Sequence, residues 1–228
     1  MNELVLTALI NLFALFCTSS RLKRERAKDV LYNYLVRFFG IRNHQEYLDL
    51  FDTLCDFYEL SAPDEQKIVS QVCDNLKDKI TEETQALMVL RFMEFTTQEG
   101  STTSEQEHLF ALVADKFGVK QELLADFADF VAARPSHNVG VRHMANIGGT
   151  LKVLRLAPYN KMVVSYDGSQ QLYMNEVPMQ PGIFMPWEKN GIIRCRHAQP
   201  IYYSFIERGM LRIVKRERDI SFEGRDIE

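Results

Sequence analysis

The residues able to do chemistry are scattered along this chain. There is no Gly-x-x-x-x-Gly-Lys-[Ser/Thr] loop to cradle a phosphate; Gly148-Gly149-Thr150 carries no lysine and reads as a turn before a strand. Neither Gly-x-Ser-x-Gly nor His-Glu-x-x-His occurs. His44, His108, His137, His143 and His197 have no ligand spacing. Cys17, Cys55, Cys73 and Cys195 form no CxxC and stand in apolar contexts, as buried thiols of a reducing compartment do. Two basic groupings remain. Arg21-Leu-Lys23-Arg24-Glu-Arg26, with Lys28, reads either as a solvated helix start or as a contact for anionic lipid headgroups or an acidic protein surface. Arg194, Arg196 and His197 would form a small anion site at one strand end, because alternate strand residues share a face. No nucleophile–base pair can be named, so the expectation is a non-catalytic chain without a cofactor.

The elements that would position these groups fall into two regions. A length of 228 residues suits one large domain or two small ones. The net charge of −4 argues against nucleic acid as a partner, which usually leaves a basic footprint. Met1–Cys17 is apolar but has no basic leader, is interrupted by Asn11 and is short for a membrane span, so it is expected to be a buried first helix. Apolar residues then recur at helical spacing: Leu31, Leu35, Phe38 and Phe39; Leu48, Phe51, Leu54, Cys55 and Tyr58; Ile68, Val72 and Leu76; Leu87, Leu90 and Phe95. Pro63 is expected at a first helical position, with Asp64 and Glu65 at the positive helix end. The region also contains a repeat. Leu31-Tyr32…Leu35…Phe39-Gly40-Ile41 matches Leu109-Phe110…Val113…Phe117-Gly118-Val119 without a gap. Gly40 and Gly118 each stand just past a helix, where a left-handed residue is wanted. Each copy reads as helix, polar loop, helix, Gly turn, helix, and two facing copies would make one bundle.

Thr97-Gln-Glu99-Gly100-Ser-Thr-Thr103-Ser-Glu105-Gln-Glu107-His-Leu109, followed by Ala114-Asp-Lys-Phe117-Gly118-Val119, resembles the TerB-like family of the tellurite-resistance group. The resemblance covers residues 5–133 and implies an all-helical domain. It also implies that loop carboxylates are candidates for a metal ion, here Glu99, Glu105 and Glu107. In the first copy Arg21, Lys23 and Arg24 occupy that loop and only Glu25 could serve, whereas hard cations need several oxygen ligands. The alternative role of these acids is to suit the positive end of a helix.

After Arg134-Pro135-Ser136-His137-Asn138 the composition changes. Strand-like runs follow: Thr150–Leu156, Lys161–Tyr166, Gln171–Met174, Gly182–Trp187, Gly191–Cys195 and Pro200–Phe205. Asp167-Gly168 is expected to be a type I′ hairpin turn; Asn175–Pro178, Pro181-Gly182 and Lys189–Gly191 mark further turns. Such spacing predicts a small antiparallel sandwich or barrel. Leu172-Tyr-Met174-Asn175-Glu-Val177…Gly182-Ile…Asn190-Gly191-Ile-Ile193-Arg194 is similar to the forkhead-associated type of sandwich, which implies phosphopeptide or anion binding as one alternative. The segment also resembles the β region between a TerB-like domain and the ATPase of some large bacterial ABC transporters, with Pro200-Ile-Tyr-Tyr-Ser204 closing it.

The expected architecture is α+β: a TerB-like helical domain over 1–134, a small β domain over 138–206 and a charged connector over 207–228. The connector mixes both signs and is expected to be solvated, with Ile220-Ser-Phe222 as an incoming strand. What the likeness implies is a cytoplasmic regulatory module whose partners are its own downstream ATPase and membrane domains. The alternative is a free-standing TerB-like stress-response or scaffold protein.

Overall fold

The computed structural model describes residues 3–19, 24–38, 40–61, 63–97, 104–196 and 198–218. The chain is α+β and divides into two compact units, Met1–Val131 and Ala132–Glu228.

The first unit is helical: α1 (Glu3–Ser19), α2 (Arg24–Asn33), α3 (His44–Ser61), α4 (Glu65–Lys77), α5 (Glu82–Thr97), α6 (Ser104–Lys116) and α7 (Gln121–Val131). From Leu12 to Phe16 every residue of α1 is fully buried. A helix apolar on all sides belongs at the centre of a bundle, and α1 touches α2, α3, α4, α5 and α6. No helix among the described residues is long and apolar enough to cross a membrane. Polar groups of α1 are satisfied within the helix and from its neighbours: the Thr18 hydroxyl donates to the Ala14 carbonyl, the Ser19 hydroxyl to the Leu15 carbonyl and the Glu65 carboxylate, and the Asn11 side-chain oxygen accepts from the Tyr58 hydroxyl. Asp64 is the N-cap of α4, its carboxylate accepting from the Lys67 amide at 3.1 Å, so Pro63 lies one residue outside the cap and not inside the helix.

The two glycines do the same work in slightly different ways. Gly118 (φ 66°) ends α6 with bonds from the Gly118 amide to the Asp115 carbonyl and from Val119 to Ala114, the Schellman pattern. Gly40 (φ 63°) follows a π-helical turn, Tyr34–Phe38, that continues α2. There the bonds run wider, Gly40 to Val36 and Ile41 to Leu35. The repeat therefore extends to helix triplets, α1–α2–α3 and α5–α6–α7. At its constant offset, Arg91 and Glu94 of α5 stand where α1 has Phe13 and Phe16.

The second unit holds two four-stranded antiparallel sheets. One has the order β1 (Val139–Met144), β2 (Gly149–Leu156), β3 (Lys161–Gly168), β6 (Met185–Trp187). The other has the order β5 (Val177–Pro178), β4 (Leu172–Met174), β7 (Ile192–Cys195), β8 (Ala198–Tyr202). Leu151, Val153, Val164 and Trp187 from the first sheet share one core with Leu172, Ile193 and Ile201 from the second.

Two local expectations change here. Asp167-Gly168 is not a hairpin turn, because both residues pair in the β2–β3 ladder, with Thr150 and Gly149. Gly168 is there for close approach. A Cβ on it would fall 2.3 Å from the Tyr166 hydroxyl, and one on Gly149 would fall 2.4 Å from the Asp167 carbonyl. That proximity lets the Tyr166 hydroxyl donate to the Ile147 carbonyl at 2.6 Å and accept from the Gln170 amide. The type I′ turn sits instead at Asn175-Glu176, with φ of 49° and 68° between the paired residues Met174 and Val177.

The second change is the connector. β8 runs directly into α8 (Tyr203–Arg218), so the described part of the expected solvated stretch is helical. Tyr203, Ile206 and Met210 fall at i, i+3 and i+7 and are buried in the β core. The aromatic, β-branched run Ile201–Ile206 has strand propensity, and burial of that one helical face overrides it. The expected strand Ile220–Phe222 lies outside the described residues.

Candidate functional site

The expected basic groups do not converge. Arg24 pairs with Asp56 at 2.6 Å and Glu59 at 2.8 Å, and Lys28 pairs with Asp52 at 2.5 Å, all across α2–α3. Arg24 and Lys28 are thus turned to the acids of their own bundle. Arg26 is exposed; Arg21 and Lys23 lie outside the described residues. Arg194 pairs with Glu176 at 2.7 Å on the surface, which ties β7 to the β4–β5 turn. Arg196 is exposed in the turn after β7, and His197 lies outside the described residues. Of the acids, Glu105 is in the first turn of α6, Glu107 is exposed, and Glu99 lies outside the described residues. Among the described residues no three His, Cys, Asp or Glu side chains gather as a metal site.

A pocket of about 330 Å³ forms instead in the β unit, beside the edge strand β1. Its cause is one missing side chain. Gly140 pairs with Val153 and Arg142 pairs with Leu151, and directly opposed residues share a face. That face is the core face, since Leu151 and Val153 belong to the core. At Gly140 there is no side chain to fill the layer under α8. A Cβ there would meet only the Met210 methyl, at 3.9 Å. The walls are Leu151, Val153, Ile206 and Met210.

Three polar residues border this apolar space, Ser136, His137 and Arg142, and His137 is exposed. Arg142, two residues along the same face, is exposed, and its guanidinium reaches over α8 at Gly209, 3.5 Å from where a Cβ on that glycine would stand. The Ser136 hydroxyl is buried and has no hydrogen-bond partner among the described residues. The Ser136 backbone is itself fixed by reciprocal bonds with Val139. A mostly apolar pocket with a few convergent polar groups is the usual form of a small-molecule site.

Comparison with protein-family models, curated proteins and solved structures finds no match. The pocket therefore rests on its own geometry. Sequence reading did not find it, because β1 carries Gly140 and His143 and does not read as a strand. The only available signal was the alternation of Val139 and Val141 with Gly140 and Arg142.

Thiol chemistry separates the four cysteines. Cys17, Cys55 and Cys73 are buried, and burial pushes the Cys73 thiol up to about 12. Cys195 is half-buried at the end of β7 and donates to the Gln170 side chain at 2.9 Å. Because a reagent must reach the sulfur and only Cys195 is not buried, an aromatic disulfide reagent should modify Cys195 first in the native protein. The other three should react only on unfolding. A fast phase that survives Cys195→Ser would contradict this assignment.

Proposed function

We propose that the chain is a non-catalytic regulatory or interaction module of a bacterial ABC-type ATP-binding protein, working at the cytoplasmic face of the membrane. In this reading the helical unit is of the TerB-like kind and the β unit of the forkhead-associated-like kind. The observation that carries the proposal is α8. It starts inside the β core at Tyr203, whose ring meets Trp187 edge-on at 5.6 Å, and stays bound through Ile206 and Met210. A helix fixed in this way is a stiff arm, and a neighbouring ATPase would feel the state of the β unit through it. The module would act by binding the open and closed states of the ATPase unequally, since an element biases an equilibrium only through such a difference. It would hydrolyse no ATP itself, lacking the Gly-rich loop and lysine.

The test removes residues 1–206 from the protein in which the chain is joined to its ATPase. The ATPase rate and its response to membrane reconstitution are then measured. A changed rate or response is the expected result. No change would reduce the module to a passive spacer. A gene that stops at codon 228 would overturn the transporter reading and leave the free-standing TerB-like scaffold.

A further inference from the structure

The β unit contains a site that the regulatory reading does not use. Three observations meet there: a cavity opened by Gly140, an arginine on the same face two residues away, and a buried hydroxyl without a partner. We propose that this pocket binds a small amphipathic carboxylic acid. The carboxylate pairs with Arg142, and the apolar body fills the space between β1 and α8.

The chemistry of the walls selects that class. Leu151, Val153, Ile206 and Met210 are aliphatic or thioether groups, so the part of the ligand that lies against them must be apolar, while Ser136, His137 and Arg142 lie at the polar border. The volume of about 330 Å³ lies at the small end of the range for ligand pockets. Among the described residues no acid pairs with Arg142, so its forked donors are open to an external anion with two coplanar oxygens. The Ser136 hydroxyl supplies one further donor or acceptor. A nucleotide fits less well, because a single arginine gives little hold on a polyphosphate. The ligand also touches Ile206 and Met210, so occupancy bears on the packing of α8. The inference does not depend on the chain being joined to an ATPase, and its test uses the chain alone; failure of either reading leaves the other standing.

The probe is octanoate, with 1-octanol to supply the tail without the charge and inorganic phosphate to supply the charge without the tail. Calorimetric titration of the whole chain should show saturable octanoate binding and at least tenfold weaker binding of the other two. Arg142→Gln, at an exposed position, should weaken octanoate about tenfold or more, as loss of a charge-assisted pair does, and leave octanol unchanged. Gly140→Val should abolish octanoate binding. Valine suits a strand, and its Cβ meets only an ordinary contact with Met210. Should that variant misfold, nuclear Overhauser contacts from the octanoate methylenes to the Met210 methyl in the wild-type chain decide the matter. Absence of those contacts, equal binding of octanol, or octanoate affinity unchanged by Arg142→Gln would each overturn the proposal.

Discussion

Glu94→Leu is expected to cost the helical unit about 3–5 kcal/mol, the range for removing one partner of a buried ion pair. Arg91 and Glu94 are each 1% exposed, one turn apart on α5, and their side chains pair directly. The Arg91 guanidinium also lies over the ring of Tyr34, 5.6 Å from its centre. Truncating the acid takes the Glu94 carboxylate from a guanidinium that stays buried. Burial of that charge sets the size of the effect more than loss of the attraction does. The double change Arg91→Met/Glu94→Leu should therefore cost much less than Glu94→Leu alone. The repeat makes this concrete, because α1 carries Phe13 and Phe16 at the equivalent positions, and both pack on Phe92 of α5, Phe16 stacked and Phe13 tilted. Urea denaturation followed by far-ultraviolet circular dichroism measures all three proteins. A double variant as unstable as the single one would mean that the pair does more than neutralise itself.

The same pair illustrates what can be read from the sequence. Apolar periodicity locates the helices of the first unit, and the two glycine turns reveal its repeat, because both signals are local. Arg91 and Glu94 look like surface residues in that pattern; only the tertiary placement of α5 among α1, α6 and α7 buries them. In the β unit, strand propensity finds β2, β3, β4, β6, β7 and the end of β8 but misses β1 and the two-residue β5, and misassigns the start of α8. Gly140 hides β1, and the aromatic run before α8 imitates a strand. The pocket lies between those two elements, so what made them hard to read also concealed the site. Turn chemistry failed at Asp167-Gly168 for a related reason. A glycine can be required for positive φ or for want of a Cβ, and the sequence does not distinguish the two.

Trp187→Ala should be the most damaging change in the β unit, at about 3–5 kcal/mol for loss of a fully buried indole. Trp187 is 1% exposed, sits on β6 opposite Met162, and packs edge-on against Tyr203 at the start of α8. Its removal should empty the centre of the core and release the first turn of α8 together. Gly191 gives an independent check. A Cβ there would fall 2.5 Å from indole Cδ1 and 2.7 Å from Nε1, with the Glu188 carbonyl at 2.9 Å. The first two contacts are with a rigid ring, so Gly191→Ala alone should be strongly destabilising by overpacking, about 1–3 kcal/mol or more. In the Trp187→Ala background both ring contacts are gone and only the carbonyl remains close. The alanine can then occupy part of the vacated space, and its added cost should fall. The two substitutions should therefore be non-additive, with a coupling inside the roughly 0.5–3 kcal/mol seen for residues in contact. Thermal unfolding of the wild type, both single variants and the double variant closes the cycle. Strict additivity would mean that Gly191 is required for its backbone alone and that the indole does not define the space beside it.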